Sequence, residues 1–375
     1  MVKTSVLTSP TKLQLFSPNF LWQNKVMKTF AINGFGRIGR LAFRVWFEKQ
    51  RNKISLNVIN TSGSMNLGDW VHLIKHDTVY GSFSEKITFK QNQDISEVSD
   101  ENPELGYLKV GDHKIIVTAQ KDPAKIPWKK YNVDIVLEST GKFNKPEKAK
   151  AHLLAGAKKV LLSAPAKSDK KNEVSTSVIS VNEFDKSKEI FSNASCTTNC
   201  IAPLMKIMKD KFGVEKAVLS TIHSYTDDQN LHDNSHKDDL RRARNAASNI
   251  VPTSTGAAKA TTAIIPSLKG KFDGLAIRVP TPTVSLSDLT FLTRKNVTVE
   301  EVNEAFTQAS KKDYRNIVAV SNEPLVSSDF IGCEYSAVVD LALTQVIDGN
   351  LVKVIAWYDN EWGYTCRLVE QLLKV

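Results

Sequence analysis

Two residue types stand where they could support covalent catalysis: a cysteine in Asn193-Ala194-Ser195-Cys196-Thr197-Thr198-Asn199-Cys200 and a histidine in His223-Ser224-Tyr225-Thr226. A thiolate is the attacking form of cysteine, and a helix start or a neighbouring imidazole lowers the thiol pKa. After Cys196 the apolar residues Ile201, Leu204, Met205 and Met208 recur at helical spacing. That pattern predicts a helix with the thiol at its start, where unpaired backbone N–H groups favour the thiolate. His223 follows the strand-like run Lys216–Ile222. It can hold the thiolate as an ion pair and exchange a proton with a substrate oxygen. Cys200, one helical turn beyond Cys196, reads as a small packed residue.

Something must hold a substrate and an electron acceptor against that pair. Thr29–Asn33 reads as a buried strand, Gly34-Phe35-Gly36-Arg37-Ile38-Gly39 follows, and Leu41, Val45 and Phe47 mark the inner face of a helix before a second strand at Ile54–Ile59. Strand, Gly-x-Gly-x-x-Gly, helix and strand form the context a dinucleotide-binding turn requires. Strand signals at Lys114–Thr118, Val133–Glu138 and Lys159–Leu162, with a helical stretch at Lys145–Leu154, imply a doubly wound, mostly parallel sheet up to Ser192. Beyond Cys196, Lys216–Ile222, Leu275–Val279 and Val284–Thr293 imply a mixed or antiparallel sheet with helices on one face. The expected class is α/β: a Rossmann-type sheet joined to an α+β catalytic domain.

A chain of 375 residues is long enough for two such units. Its net charge of +10 is spread along the sequence without a dense basic run, which fits a solvated surface that attracts small anionic substrates and gives no reason to expect a nucleic-acid partner. The cysteines Cys196, Cys200, Cys333 and Cys366 contain no C-x-x-C pair, so neither a metal site nor a redox dithiol is expected. No apolar run is long enough to span a membrane. Residues 1–26 hold Lys3, Lys12 and Lys25, several Ser and Thr, and no Asp, Glu or Arg. They read as a short extension before a start at Met27, with the protein in the cytoplasm; a plastid transit segment is the alternative.

From Lys28 to Val375 the chain resembles phosphorylating glyceraldehyde-3-phosphate dehydrogenase. The resemblance rests on Ile32–Arg40, Glu138-Ser139-Thr140-Gly141, Ser163-Ala164-Pro165-Ala166, the Cys196 and His223 segments, Thr255-Gly256-Ala257-Ala258-Lys259, Arg278-Val279-Pro280-Thr281-Pro282 and Trp357–Gly363. It implies Cys196 and His223 as the catalytic pair. It implies Ser195, Thr197, Thr226, Arg244, Thr255, Gly256 and Arg278 as contacts for substrate phosphate and inorganic phosphate. For the dinucleotide it implies Asn33, Gly34, Gly36, Arg37, Ile38 and Ser163, with Asn360 orienting the nicotinamide amide. The expected layout is an extension at 1–26, an NAD(P)-binding domain at 27–194, a catalytic domain at 195–359, and a helix at 360–375 returning to the first domain. Asp227–Asn249 resembles a loop that lines a neighbour's cofactor site in a homotetramer, although Asp238-Asp239 makes it one residue longer than the family pattern.

One departure bears on the cofactor. An Asp or Glu ending the second strand selects NAD by repelling a 2′-phosphate. Here that strand ends Asn60-Thr61-Ser62, and no acidic residue occurs from Lys49 to Gly68. Thr61 stands where NAD-selective relatives carry Asp, Ser235 where they carry Pro, and Lys121 adds positive charge near the adenosine ribose. Use of NADP as well as NAD is therefore expected. Two rival readings remain: erythrose-4-phosphate dehydrogenase on the same scaffold, and a non-catalytic RNA-binding protein, against which the intact Cys196–His223 pair argues.

Overall fold

The computed structural model describes residues 27–167 and 173–375; the readings of residues 1–26 lie outside the described residues. The first sheet comprises β1 (Thr29–Asn33), β2 (Ser55–Thr61), β3 (Ile87–Gln91), β4 (Glu104–Val110), β5 (His113–Ala119), β6 (Ile135–Glu138), β7 (Lys159–Leu162), β8 (Ser175–Thr176) and β9 (Ile190–Ser192). Their order is β3-β4-β5-β2-β1-β6-β7-β9-β8. Pairing is parallel from β5 to β8, while β3, β4 and β5 form an antiparallel edge. That edge was not anticipated: β3 is mostly exposed, so it has no apolar alternation to signal it. Helices α1 (Arg37–Val45), α2 (Leu67–Lys75) and α3 (Pro146–Leu154) belong to this unit.

Crossing to the second unit is α4 (Cys196–Phe212). The second sheet holds β10 (Val214–Ser224), β11 (Val251–Ser254), β12 (Phe272–Val279), β13 (Ser285–Thr293), β14 (Val318–Ser321), β15 (Ala337–Ile347) and β16 (Leu351–Tyr358), ordered β11-β12-β10-β13-β16-β15-β14. Its inner face packs on α4, α5 (Ala257–Ile264) and α6 (Val299–Lys311) through residues such as Met205, Leu219, Leu289 and Phe306. Val218, Leu275, Ile347 and Leu351 stand exposed on the other face. The last helix, α7 (Trp362–Leu372), returns to the first unit and shares a core with Phe30, Leu41 and Trp46.

The turn from β1 to α1 depends on glycine. Gly34 has φ +95°, and a Cβ there would lie 2.6 Å from Thr140 Cγ2. A Cβ on Gly39 would lie 2.1 Å from the Gly34 carbonyl oxygen, so only glycine lets α1 start this close to β1. Gly36 is different, with nothing within 4 Å of its ideal Cβ. Gly39→Ala should therefore lower the unfolding free energy by about 1–3 kcal/mol, while Gly36→Ala leaves it unchanged. Chemical denaturation checks this, and a native midpoint for Gly39→Ala would contradict the packing argument.

Candidate active site

Between β9 and α4 the chain makes a strained turn. Ala194 is buried at φ +55°, a left-handed conformation that non-glycine residues rarely adopt. Hydrogen bonds hold it there. The Ala194 N–H donates to Ser192 Oγ at 3.1 Å, and Tyr364 OH donates to the Ala194 carbonyl at 3.1 Å. Ser195 caps the helix by accepting from the Thr198 N–H at 3.0 Å. Asn199 Nδ2 reaches back to the Asn193 and Ser195 carbonyls at 2.7 and 3.0 Å. Cys196 is thus the first helical residue, and its N–H has no acceptor within the helix. The half-buried thiol packs against the cores of both units.

Strand register brings the partners. β10 and β12 run parallel with His223 paired to Arg278. His223 Nε2 lies 3.5 Å from Cys196 Sγ, and its Nδ1 lies 2.7 Å from the Ser224 carbonyl. Arg278 Nη1 also lies 3.2 Å from Nδ1, but a carbonyl only accepts, so the shorter 2.7 Å contact places the ring proton on Nδ1 and leaves Nε2 facing the sulfur as an acceptor. Arg278 Nη1 donates to Thr226 Oγ1 at 2.7 Å, and Arg278 Nε is buried without a partner. Burial, reinforced by the Arg278 charge, holds the His223 imidazole down at about 3. Burial also pushes the Cys196 thiol up, against the opposing pull of Arg278. Burial thus disfavours charge on either partner and works against the ion pair expected from sequence. Sulfur and base are already placed for the proton to cross as the sulfur attacks.

A cavity of about 720 Å³ opens at Cys196 and His223. A second, of about 500 Å³, lies over the glycine turn, and both are walled by Arg37, Ile38, Gly141, Ser163 and Ala164. They make one cleft at the carboxyl ends of the parallel strands, where the chain departs on opposite sides of β1 and β6. Its floor is cross-linked: Asn60 Nδ2 donates to Asn33 Oδ1 and the Gln120 carbonyl, both at 2.8 Å. Arg37 is held by Glu361 at 2.6 Å and by Asp77, so the backbone of the turn, not its guanidinium, faces a ligand. At the thiol end, Asn360 Oδ1 accepts from Ser224 Oγ at 2.8 Å and Ser285 Oγ at 2.9 Å, leaving Nδ2 to donate into the cleft. A glycine cradle open at Gly36 and a fixed amide donor near the thiol suit a dinucleotide.

Comparison with known proteins agrees with this geometry. Residues 28–146 match the family "Glyceraldehyde 3-phosphate dehydrogenase, NAD binding domain", and residues 195–360 match the corresponding C-terminal domain. Glyceraldehyde-3-phosphate dehydrogenase 2 of Bacillus subtilis is 46% identical over 348 residues, covering 92% of this chain and 96% of that protein. The chloroplastic A form of Chlamydomonas reinhardtii is 47% identical over 342 residues, covering 91% and 86%, and the Geobacillus stearothermophilus enzyme is 46% identical over 342 residues, covering 90% and 95%. This chain belongs to the glyceraldehyde-3-phosphate dehydrogenase family. It is an oxidoreductase that uses NAD or NADP.

Not every residue assigned from the family pattern reaches the cleft. Arg244 is exposed and paired with Asp233 at 2.7 Å. Ser235 is exposed on the long loop after β10, and its carbonyl accepts from Asn230. Thr255 and Gly256 begin α5 and fall outside the lining of the thiol cavity. Thr197 is buried, with Oγ1 3.0 Å from Tyr358 OH. Lys121 lines the far end of the dinucleotide cavity. Thr61 lines it too, but donates its hydroxyl to the Thr118 carbonyl at 3.2 Å, so the exposed hydroxyl at that rim is that of Ser62, whose Oγ donates to Ser64 Oγ at 2.9 Å. Tyr358, Ser224, Ser285 and Ser62 were missed because their roles depend on neighbours distant in sequence. Only the motif Trp357–Gly363 hinted at Tyr358.

Two outcomes follow for Cys196 and His223. Iodoacetamide should alkylate Cys196 ahead of the others, since its sulfur opens on the cleft with His223 Nε2 3.5 Å away to take the proton, whereas Cys200 and Cys366 are buried with thiols pushed up to about 12. Peptide mapping after partial labelling reads the order, and uniform labelling would contradict it. The second outcome concerns acid stability. The unfolded chain binds a proton at His223 below its ordinary 6.5, whereas the folded chain does so only near 3. Acidification through that window favours unfolding, by up to ~1.4 kcal/mol per pH unit from this group. His223→Gln should flatten the fall in stability between those pH values; an unchanged slope would show that the imidazole is not held neutral.

Proposed function

We propose that this chain oxidises glyceraldehyde 3-phosphate and phosphorylates it to 1,3-bisphosphoglycerate, reversibly, with NAD or NADP as hydride acceptor. The observation that carries the reading is the 3.5 Å contact of Cys196 Sγ with His223 Nε2 at a helix start, inside a cleft continuous with the glycine cradle. The Cys196 thiol passes its proton to His223 Nε2 as the sulfur adds to the aldehyde carbon. The backbone N–H of Cys196 and the His223 N–H then donate to the oxygen of the hemithioacetal. A dinucleotide held over the Gly34–Gly39 turn, with Asn360 Nδ2 on its amide, would supply the hydride acceptor; loss of hydride from the hemithioacetal carbon leaves a thioester on Cys196. Inorganic phosphate attacks that carbonyl, and the thiolate departs with the acyl phosphate released. Arg278, with an unpartnered Nε and Nη1 on Thr226, supplies fixed positive charge for a phosphate.

Cys196→Ser should lose dehydrogenase activity while still binding dinucleotide, because a serine hydroxyl is scarcely ionised at neutral pH. An active serine variant would refute the nucleophile. Comparing kcat/KM for glyceraldehyde 3-phosphate and erythrose 4-phosphate separates the two aldehyde readings, and the three-carbon substrate should win.

Cofactor choice rests on the rim formed by Ser62 and Lys121. The nearest carboxylate in the adjoining recess, Asp100, is paired with Lys125. Because Thr61 is buried, Ser62→Asp is the cleaner test. It should reduce kcat/KM for NADP at least about tenfold more than for NAD, through like-charge repulsion of the 2′-phosphate. Equal losses would remove the rim from the argument.

The assembly proposed is a homotetramer. Leu231, Leu240 and Ile250 are exposed in or beside the long loop after β10, and the outer sheet face is also apolar, so both surfaces gain from burial. Sedimentation giving an active monomer would refute it. The proposed location is the cytoplasm, with the plastid as the alternative; among the described residues no helix is long and apolar enough to cross a membrane.

A further inference from the structure

Beneath the cleft runs a buried polar chain that no step above uses. Trp128, His152 on α3 and Glu138 at the end of β6 are each 0% exposed. Trp128 Nε1 lies 3.1 Å from His152 Nδ1, and His152 Nε2 lies 3.0 Å from Glu138 Oε2. An indole N–H can only donate, so Nδ1 accepts and the ring proton is on Nε2. The imidazole Nε2–H therefore donates to the carboxylate. Glu138 also accepts from Asn33 Nδ2 at 2.6 Å, from the Thr140 N–H at 2.8 Å and from the Thr140 hydroxyl. Four donors, and no cation, hold this buried charge.

The two residues on the far side of Glu138 are walls of the cleft. Asn33 and Thr140 line it, and Thr140 is the residue against which Gly34 packs. Trp128 and His152 do not line it. We propose that Trp128 and His152 are positioning residues for the dinucleotide: they orient Glu138, which fixes Asn33 and Thr140 on either side of the glycine turn. A satisfied buried network rigidifies what it joins, and loss of one donor leaves a charged acceptor short. This inference rests on the reading of the cleft as the dinucleotide site.

His152→Leu and His152→Gln separate positioning from mere packing, since a glutamine amide can accept from Trp128 and donate to Glu138. Calorimetric titration with NAD and with NADP, thermal unfolding and steady-state kinetics would be run on both full-length variants. His152→Leu should raise the dinucleotide Kd about tenfold, the loss expected for one hydrogen bond to a charged group. It should leave kcat at saturating dinucleotide, and KM for the aldehyde, within about twofold. His152→Gln should restore most of the affinity. A folded His152→Leu variant with native Kd overturns the inference, as does a Gln variant as weak as the Leu variant. Should the Leu variant not fold, Trp128→Phe decides: a raised Kd at unchanged kcat supports the relay, and a native Kd overturns it. Native protein that binds neither dinucleotide would overturn the reading of the cleft itself.

Discussion

The hydrogen-bonded turn from Ser192 to Thr198 fixes where β9 ends and α4 begins, and the rest of the site is referred to that point. A helix advances by about 100° per residue, so a one-residue slip in its start would carry the thiol away from His223. Left-handed Ala194 costs about 1–3 kcal/mol. Bonds from Ser192, Tyr364, Ser195 and Asn199, each worth about 1 kcal/mol, offset it. Tyr364 belongs to α7, so the last helix helps set the position of the nucleophile as well as completing the first core.

That geometry also decides the electrostatics. The thiol and imidazole occupy a site shielded from water, beside the Arg278 guanidinium. Desolvation penalises charge on either partner, and the cation penalises charge on His223. Both partners are biased toward the neutral form across a 3.5 Å contact. On the proposed mechanism charge develops as the sulfur adds to a carbonyl, with the Cys196 N–H and the protonated His223 Nε2 beside the oxygen. The same fixed cation that depresses His223 keeps a buried Nε without a partner. On the proposed function one arginine serves the resting state and phosphate binding together.

Much of this could be read from sequence because the signals were local. The glycine turn follows a strand within a few residues, and the Cys196 segment precedes a helical apolar pattern. What escaped was set by long-range register or by packing of polar groups. The β3–β4 edge has little apolar alternation. The inward turn of Thr61 depends on β5, and the outward pairing of Arg244 depends on Asp233 in the same long loop. The Trp128–His152–Glu138 chain joins residues from three separate segments, of which only that of Glu138 carries a motif. Residue type showed which groups could act, and only the fold showed which hydroxyls and charges were already committed.

The central claim is that Cys196 carries the acyl group between oxidation and phosphorylation. Rapid mixing of the native chain with glyceraldehyde 3-phosphate and dinucleotide, without inorganic phosphate, followed by acid quench and peptide mass spectrometry, tests it directly. The account predicts one phosphoglyceroyl thioester per chain, on the Cys196 peptide, that discharges when phosphate is added before the quench. Reduced dinucleotide formed without any adduct on Cys196, or with the acyl group on another residue, would contradict it.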